Sequence, residues 1–278
     1  MPTLATIAVY PIKALDPVTR DRTSITDVGG LAGDRIYAMV AEDGTYVNGK
    51  LTADVHQLRA ETDLDANRIR LRVRGEDAVH EFHFDHDREA LEEWLSDYFA
   101  EPIELEAAPG GSLTDSVVYS NDAKAGPTLI SAATIREVAS WYDGVSPEEM
   151  RLRLRPNLVV DCVPPFWEER LVAPAARRIQ IGDVVLEGRT LVPRCVVPAR
   201  NPYTGEKDDG FREIFLEKRE ETVPDWTDRD AFDGNLFKLM VLTRVPKTDR
   251  GRALHVGDAV QVSEFNAERE YGASRDRA

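Results

Sequence analysis

Cysteine is nearly absent from this 278-residue chain: Cys162 and Cys195 are the only two. Two thiols cannot build a disulfide framework, and a zinc site usually needs more ligands than they supply. Lysine is scarce too, seven of the 35 basic residues, the other 28 being arginine. No apolar run approaches membrane-spanning length, and the first residues lack a basic-then-apolar leader pattern. A cytoplasmic, reducing location is therefore expected, with no membrane partner. Internal repeats, low-complexity tracts, flavin fingerprints and iron–sulfur motifs are missing as well. Gly29, Gly30 and Gly33 have neither dinucleotide nor P-loop spacing and read as a turn.

What the chain has in excess is acid. Fifty Asp and Glu against 35 Lys and Arg give a net charge of −15. That charge repels nucleic acid and anionic membranes, and an acidic, lysine-poor surface suits a salt-rich cytoplasm.

Residues 4–10 predict a strand stopped by Pro11, and residues 23–28 a second ending at Gly29-Gly30. A strand over 35–40 turns through Glu42-Asp43-Gly44-Thr45 into Tyr46-Val47. Alternation predicts strands over 68–73 and 79–84. Asp87 caps a helix through Phe99 whose apolar face is Leu91, Trp94, Leu95 and Tyr98. A strand over 103–106 closes the first part, and Pro109-Gly110-Gly111-Ser112 is the expected boundary. Beyond it come a strand over 128–130, a helix from Ser131 through Tyr142, and a doubly buried strand over 157–161. A helix over 211–219 and closing strands over 236–242 and 258–262 complete the series, with a polar tail from Ser263. The expected fold is α+β with β-barrel character. Its expected divisions are residues 1–110, 111–265 and a tail over 266–278.

Five places invite a chemical reading, some with a plainer alternative. Cys195 follows Arg194 and precedes the turn Asn201-Pro202-Tyr203-Thr204-Gly205. A cationic neighbour favours a thiolate; the alternative is a small buried hydrophobe. The helix start at Ser131 could face an anion, or Ser131 could simply cap the helix. His80, His83 and His86 do not predict a metal site, because on one strand His83 points away from the other two. Cys162, ending an apolar strand, is expected to be buried and inert. A long loop around Pro164-Pro165-Phe166-Trp167, reaching Pro174, has a length that suits function.

Five segments stand in one order: Tyr10-Pro11-Ile12-Lys13, Leu31-Ala32-Gly33-Asp34-Arg35, Arg155-Pro156-Asn157-Leu158-Val159-Val160, Arg194-Cys195 with Pro202-Tyr203-Thr204-Gly205 behind Ile181-Gly182-Asp183, and Val256-Gly257-Asp258. In this the chain resembles the MOSC (molybdenum cofactor sulfurase C-terminal domain) family. The resemblance is to the subfamily with an N-terminal β-barrel domain that includes the amidoxime-reducing components, and it spans about residues 4–263. It implies a molybdenum cofactor, the metal bound through the dithiolene of a molybdopterin that carries a phosphate. Cys195 would be the metal ligand, with Arg194 either stabilising the thiolate or making an ordinary ion pair. Lys13, Arg35, Ser131, Thr134, Arg155 and Asn157 would bind the cofactor. The implied activity is reduction of small N-hydroxylated or N-oxide substrates, with electrons from a separate donor protein. The alternative is a non-redox cofactor carrier or sulfur-transfer module using a Cys195 persulfide. A thiol hydrolase is a third reading, although no histidine is evidently paired with Cys195. The chain departs from the family pattern at Pro198-Ala199, Asn201, Ala14 and Lys50, which would change the substrate pocket or weaken the grip on the cofactor.

Overall fold

The structure, a computed structural model, describes residues 1–107, 126–172 and 177–264. Strand β1 (Thr3–Val9) is apolar on both faces, with Leu4, Ile7, Ala8 and Val9 fully buried. Its neighbour β2 (Val18–Arg20) turns back along it. The predicted strand over 23–28 is shorter and earlier, β3 (Arg22–Ser24). Thr26 instead opens a tight turn to Gly29, whose φ of +93° suits glycine. Strand β4 (Tyr37–Ala41) turns at Asp43-Gly44 as the sequence predicts, with Gly44 N donating to Ala41 O.

Strand β5 (Leu58–Asp63) was not expected, because its buried residues are only Leu58 and Ala60. It pairs with β6 (Arg68–Val73), which pairs in turn with β7 (His80–His83). That strand stops at His83, so His86 does not share the His80 face; it stacks on His83 with ring centroids 4.2 Å apart. Helix α1 (Arg88–Phe99) buries Leu91 and Leu95, and β8 (Ile103–Ala107) pairs with β4. These elements share a core drawn wholly from residues 12–105.

In the second part, β9 (Thr128–Ser131) leads into α2 (Ala132–Ala139), which ends short of Tyr142. An unforeseen helix follows, α3 (Pro147–Leu154). Ser146 caps it by accepting from Glu149 N, and Pro147 occupies its first turn. Strand β10 (Leu158–Asp161) then lies parallel to β9, the two helices making the crossover. Next come β11 (Arg177–Ile181), β12 (Val184–Pro193), α4 (Phe211–Thr222), β13 (Lys238–Arg244), β14 (Ala253–His255) and β15 (Val260–Glu264). The last strand runs past Val262, where a polar tail was expected to begin. The expected boundary at 109–112, the end of the loop to Pro174 and the tail over 266–278 lie outside the described residues.

One sheet runs in the order β15-β11-β12-β13-β9-β10-β1-β2. Among the described residues no ladder closes it into a barrel, but an isolated bridge from Thr3 to Ala259 draws β1 towards the β15 edge. The protein is thus α+β, and the chain's first strand sits inside a sheet made mostly by its second part. Leu4, Ile7 and Val9 share a core with Leu158, Val160, Val184 and Val241. Burying an aliphatic side chain of this size contributes roughly 1.5–3 kcal/mol, so β1 is a strong tie between the parts. Among the described residues no helix is long and apolar enough to cross a membrane.

Candidate functional site

A cavity of about 440 Å³ lies where the chain's two parts meet, within the size range of small-ligand sites. Its walls bring together Lys13, Arg35, Arg155, Asn157, Arg194 and Cys195.

Backbone pairing fixes the two N-terminal cations. Pro11 ends β1, and the chain then bridges Tyr37 through Ile12, with Lys13 N donating to Tyr37 O at 2.8 Å. Lys13 is 5% exposed, its Nζ 3.8 Å from the centre of the Tyr46 ring. Arg35 N donates to Tyr10 O at 2.8 Å, and its guanidinium pairs with Asp34. Arg155 is the left-handed C-cap of α3, a position where glycine is usual. Its Nη2 donates to Leu15 O at 2.7 Å. Tyr10 is a buried plate that both arginines contact: Arg155 stands 4.1 Å and Arg35 5.4 Å from its ring centre. The Tyr10 hydroxyl donates to Pro156 O at 3.2 Å.

Asn157 works as a clamp. Its Oδ1 accepts from Thr128 N and Oγ1, both at 3.2 Å, and from Arg35 at 3.4 Å, while Nδ2 donates to Ala8 O. Cys195 comes just after a bulge, where the β12–β13 register shifts between Leu191 and Pro193. Opposite, Met240 has φ +70°, an outlier for a large side chain inside a strand. Ala14, Arg35, Arg155 and Met240, four of the nine described non-glycine residues with positive φ, line this one cavity. Backbone strain of that kind collects at functional sites.

The walls carry eight Lys and Arg side chains against the carboxylates of Asp16 and Asp34, although the chain as a whole is at −15. Burial pushes the Arg155 and Arg194 guanidiniums below their usual range and the Tyr10 phenol above its own. Arg194 donates to Leu154 O at 3.0 Å, and among the described residues no carboxylate pairs with it. The ion-pair alternative therefore finds no partner there, and Arg194 stands beside the half-buried Cys195.

Two expected site residues are elsewhere. Ser131 and Thr134 are fully buried outside the cavity walls. The helix start is taken by the chain's own Glu168 side chain, whose Oε2 accepts from Ser131 N at 3.2 Å and Thr134 Oγ1 at 3.1 Å. Ser131 also caps α2, so the plainer reading describes this helix start. Cys162 is exposed, not buried, because the chain turns out of the sheet after Asp161, with Cys162 at φ +62°.

Sequence reasoning missed His56, Arg59 and Arg200, which also line the cavity. The only local signal was the Asn48-Gly49 pair, a turn former that faces Arg200. Arg200 Nε donates to Gly49 O at 3.0 Å, and Arg59 Nη2 to Pro202 O at 3.1 Å. The turn after Cys195 is thereby seated on the first part; a Cβ at Gly205 would come within 2.6 Å of Ala53 O. His56 shares the cavity with Cys195, but no hydrogen bond joins them.

The wall has unmet hydrogen-bonding capacity. Arg59 Nε, Arg194 Nε and His56 Nε2 are buried without partners among the described residues, and buried polar atoms are normally satisfied. A soft sulfur, several guanidiniums and orphaned donors fit a ligand that joins a soft metal to an anionic, acceptor-rich body. Comparison with known proteins gives an independent result. Residues 1–102 match the family model for the MOSC N-terminal beta barrel domain. No curated protein matches the chain.

Proposed function

We propose, from the match of residues 1–102 to the MOSC N-terminal beta barrel domain, that the chain is a MOSC protein, that its cavity binds the molybdenum cofactor associated with that family, and that it is a reductase of small N-hydroxylated or N-oxide compounds. The observation that carries the reading is convergence: Lys13, Arg35, Arg155, Arg194 and Cys195, far apart in sequence, line one cavity. The Cys195 thiolate holds the metal, and the Arg194 charge favours the ionised sulfur. Lys13, Arg35 and Arg155 hold the phosphate, Arg by paired bonds and Lys as a point charge. Asn157 and Tyr10 fix the direction of the arginines. When bound, the cofactor supplies two-electron oxygen-transfer chemistry. Val192, Leu152, Met240 and Leu242 give the cavity an apolar side that excludes water and accepts the body of a substrate. Electrons come from a separate donor protein. Elemental analysis of the purified protein tests the reading, with near-stoichiometric molybdenum expected, as well as turnover of a hydroxylamine-type substrate with an artificial electron donor. Metal-free protein from a molybdenum-replete host would overturn it, and loaded protein without turnover would leave a carrier.

A further inference from the structure

His56 has no part in the roles above, yet its Nε2 is buried in the cavity wall and has no hydrogen-bond partner among the described residues. The backbone around it is settled. His56 N donates to Ala53 O, and His56 O accepts from Arg59 Nη2. Only the ring is left without a partner. Burial first, and then the cations Arg155, Arg200 and Arg59, bring its pKa down to about 4. Gly49 leaves it room, since a Cβ there would lie 2.7 Å from Nε2.

A neutral imidazole carries one N–H and one lone pair. Among surrounding positive charges the lone pair belongs on the buried nitrogen, which puts the proton on Nδ1. Nε2 is then an acceptor, and no donor of the described residues reaches it. The carboxylates of Asp16 and Asp34 and the amide oxygen of Asn48, other acceptors of the wall, are engaged. Asp16 takes Ala60 N and pairs with Arg59, Asp34 takes Tyr10 N and pairs with Arg35, and Asn48 Oδ1 takes Lys50 N.

We infer that His56 is a specificity residue of this cavity, its Nε2 accepting a hydrogen bond from an O–H or N–H group of the bound ligand. The inference deepens the proposed function and rests on it, because the hydroxyl of an N-hydroxylated substrate is such a donor. A pterin ring carries N–H donors as well, so the source has to be separated by experiment.

The protein as purified, labelled with ¹⁵N-histidine, is titrated with benzaldoxime and with its O-methyl ether, which lacks the hydroxyl. At neutral pH His56 is expected to be the Nδ1–H tautomer, with its Nε2 resonance moving only for the free oxime. The wild type should bind the free oxime about tenfold more tightly than the ether, the worth of one neutral hydrogen bond. His56→Phe should lose that preference and keep its molybdenum. His56→Gln, which retains an acceptor, should keep both, and Gly49→Ala, which crowds Nε2, should weaken the preference with His56 in place. If His56→Phe instead loses molybdenum while the oxime preference persists and His56→Gln retains both, the acceptor role stands and the donor is the cofactor's ring. The inference is overturned if Nε2 carries the proton, or if His56→Phe keeps its molybdenum and binds the oxime and its ether in the wild-type ratio. Wild-type protein without molybdenum is a separate outcome: it removes the proposed function, and the tautomer and the oxime preference still decide the role of His56.

Discussion

The two cysteines differ in surroundings more than in sequence. Cys195 is half-buried beside Arg194 in a cationic cavity, whereas Cys162 is exposed on a turn with its N–H bonded to the Asp161 carboxylate. Cys195→Ser keeps the size of the side chain and loses the soft ligand, so molybdenum and reductase activity should both be lost. Cys162→Ser should leave both near wild type. Exposure also means that Cys162, not Cys195, should be the first thiol labelled by an alkylating reagent on the loaded protein, without loss of metal. Retention of molybdenum and normal turnover by Cys195→Ser would refute its role as ligand. The arginines carry a graded expectation. A charge-assisted bond is worth roughly 1.5–3 kcal/mol, and Arg155 can make two where Lys13 makes one. Arg155→Ala should therefore lower cofactor occupancy more than Lys13→Ala; equal, full occupancy in both would show that neither holds it.

At the scale of elements, the start of α2 shows why part of the site was not legible. A serine before a helix reads the same whether it caps the helix or faces a ligand. The choice is made by Glu168, 37 positions from Ser131, and no local pattern announces that contact. Similarly, β5 and α3 were hidden because neither has a clean apolar period. The regular strands β1, β6 and β10 were legible from apolar pattern, and the helix α1 from its apolar face together with Asp87 at its start. Burial pushes the Glu168 carboxyl up to about 8, from 4.5 for an ordinary glutamate. Between those values the native chain keeps a proton that the unfolded chain has released, so this residue's contribution to stability falls as pH rises from about 4.5 to about 8. Glu168→Gln can still accept from Ser131 N and Thr134 Oγ1, and it carries no charge. In urea unfolding the variant should match wild type near pH 4.5 and be more stable by about 1–3 kcal/mol near pH 8. Parallel pH dependences in the two proteins would mean that Glu168 is ionised in the native state.

For the whole molecule, the sign of the charge is arranged in space: a cationic cavity inside a chain at −15. Repulsion among the surface acids should be relieved by screening, so the melting temperature should climb with added potassium chloride; a flat response would remove the case for a salt-rich setting. The same arrangement makes the site a joint product of both parts. Lys13, Arg35 and His56 come from the segment that matches the barrel family, and Arg155, Arg194 and Cys195 from the rest. The parts are also tied by the fold, since β1 pairs with β10, Leu4 N donates to Asp258 O and Gly257 N donates to Leu4 O. Residues 112–278 expressed alone would leave β10 without its antiparallel partner and the core without Leu4, Ile7 and Val9. An unpaired apolar strand edge favours aggregation, so this fragment should be poorly soluble and free of cofactor. Co-expression with residues 1–111 as a separate chain restores the missing strand by β-addition and returns Lys13 and Arg35 to the cavity. The two pieces should then co-purify with molybdenum close to the intact protein's content. Wild-type molybdenum in residues 112–278 alone would contradict a shared site, as would a co-purified pair that folds cooperatively and carries none when the intact chain is loaded.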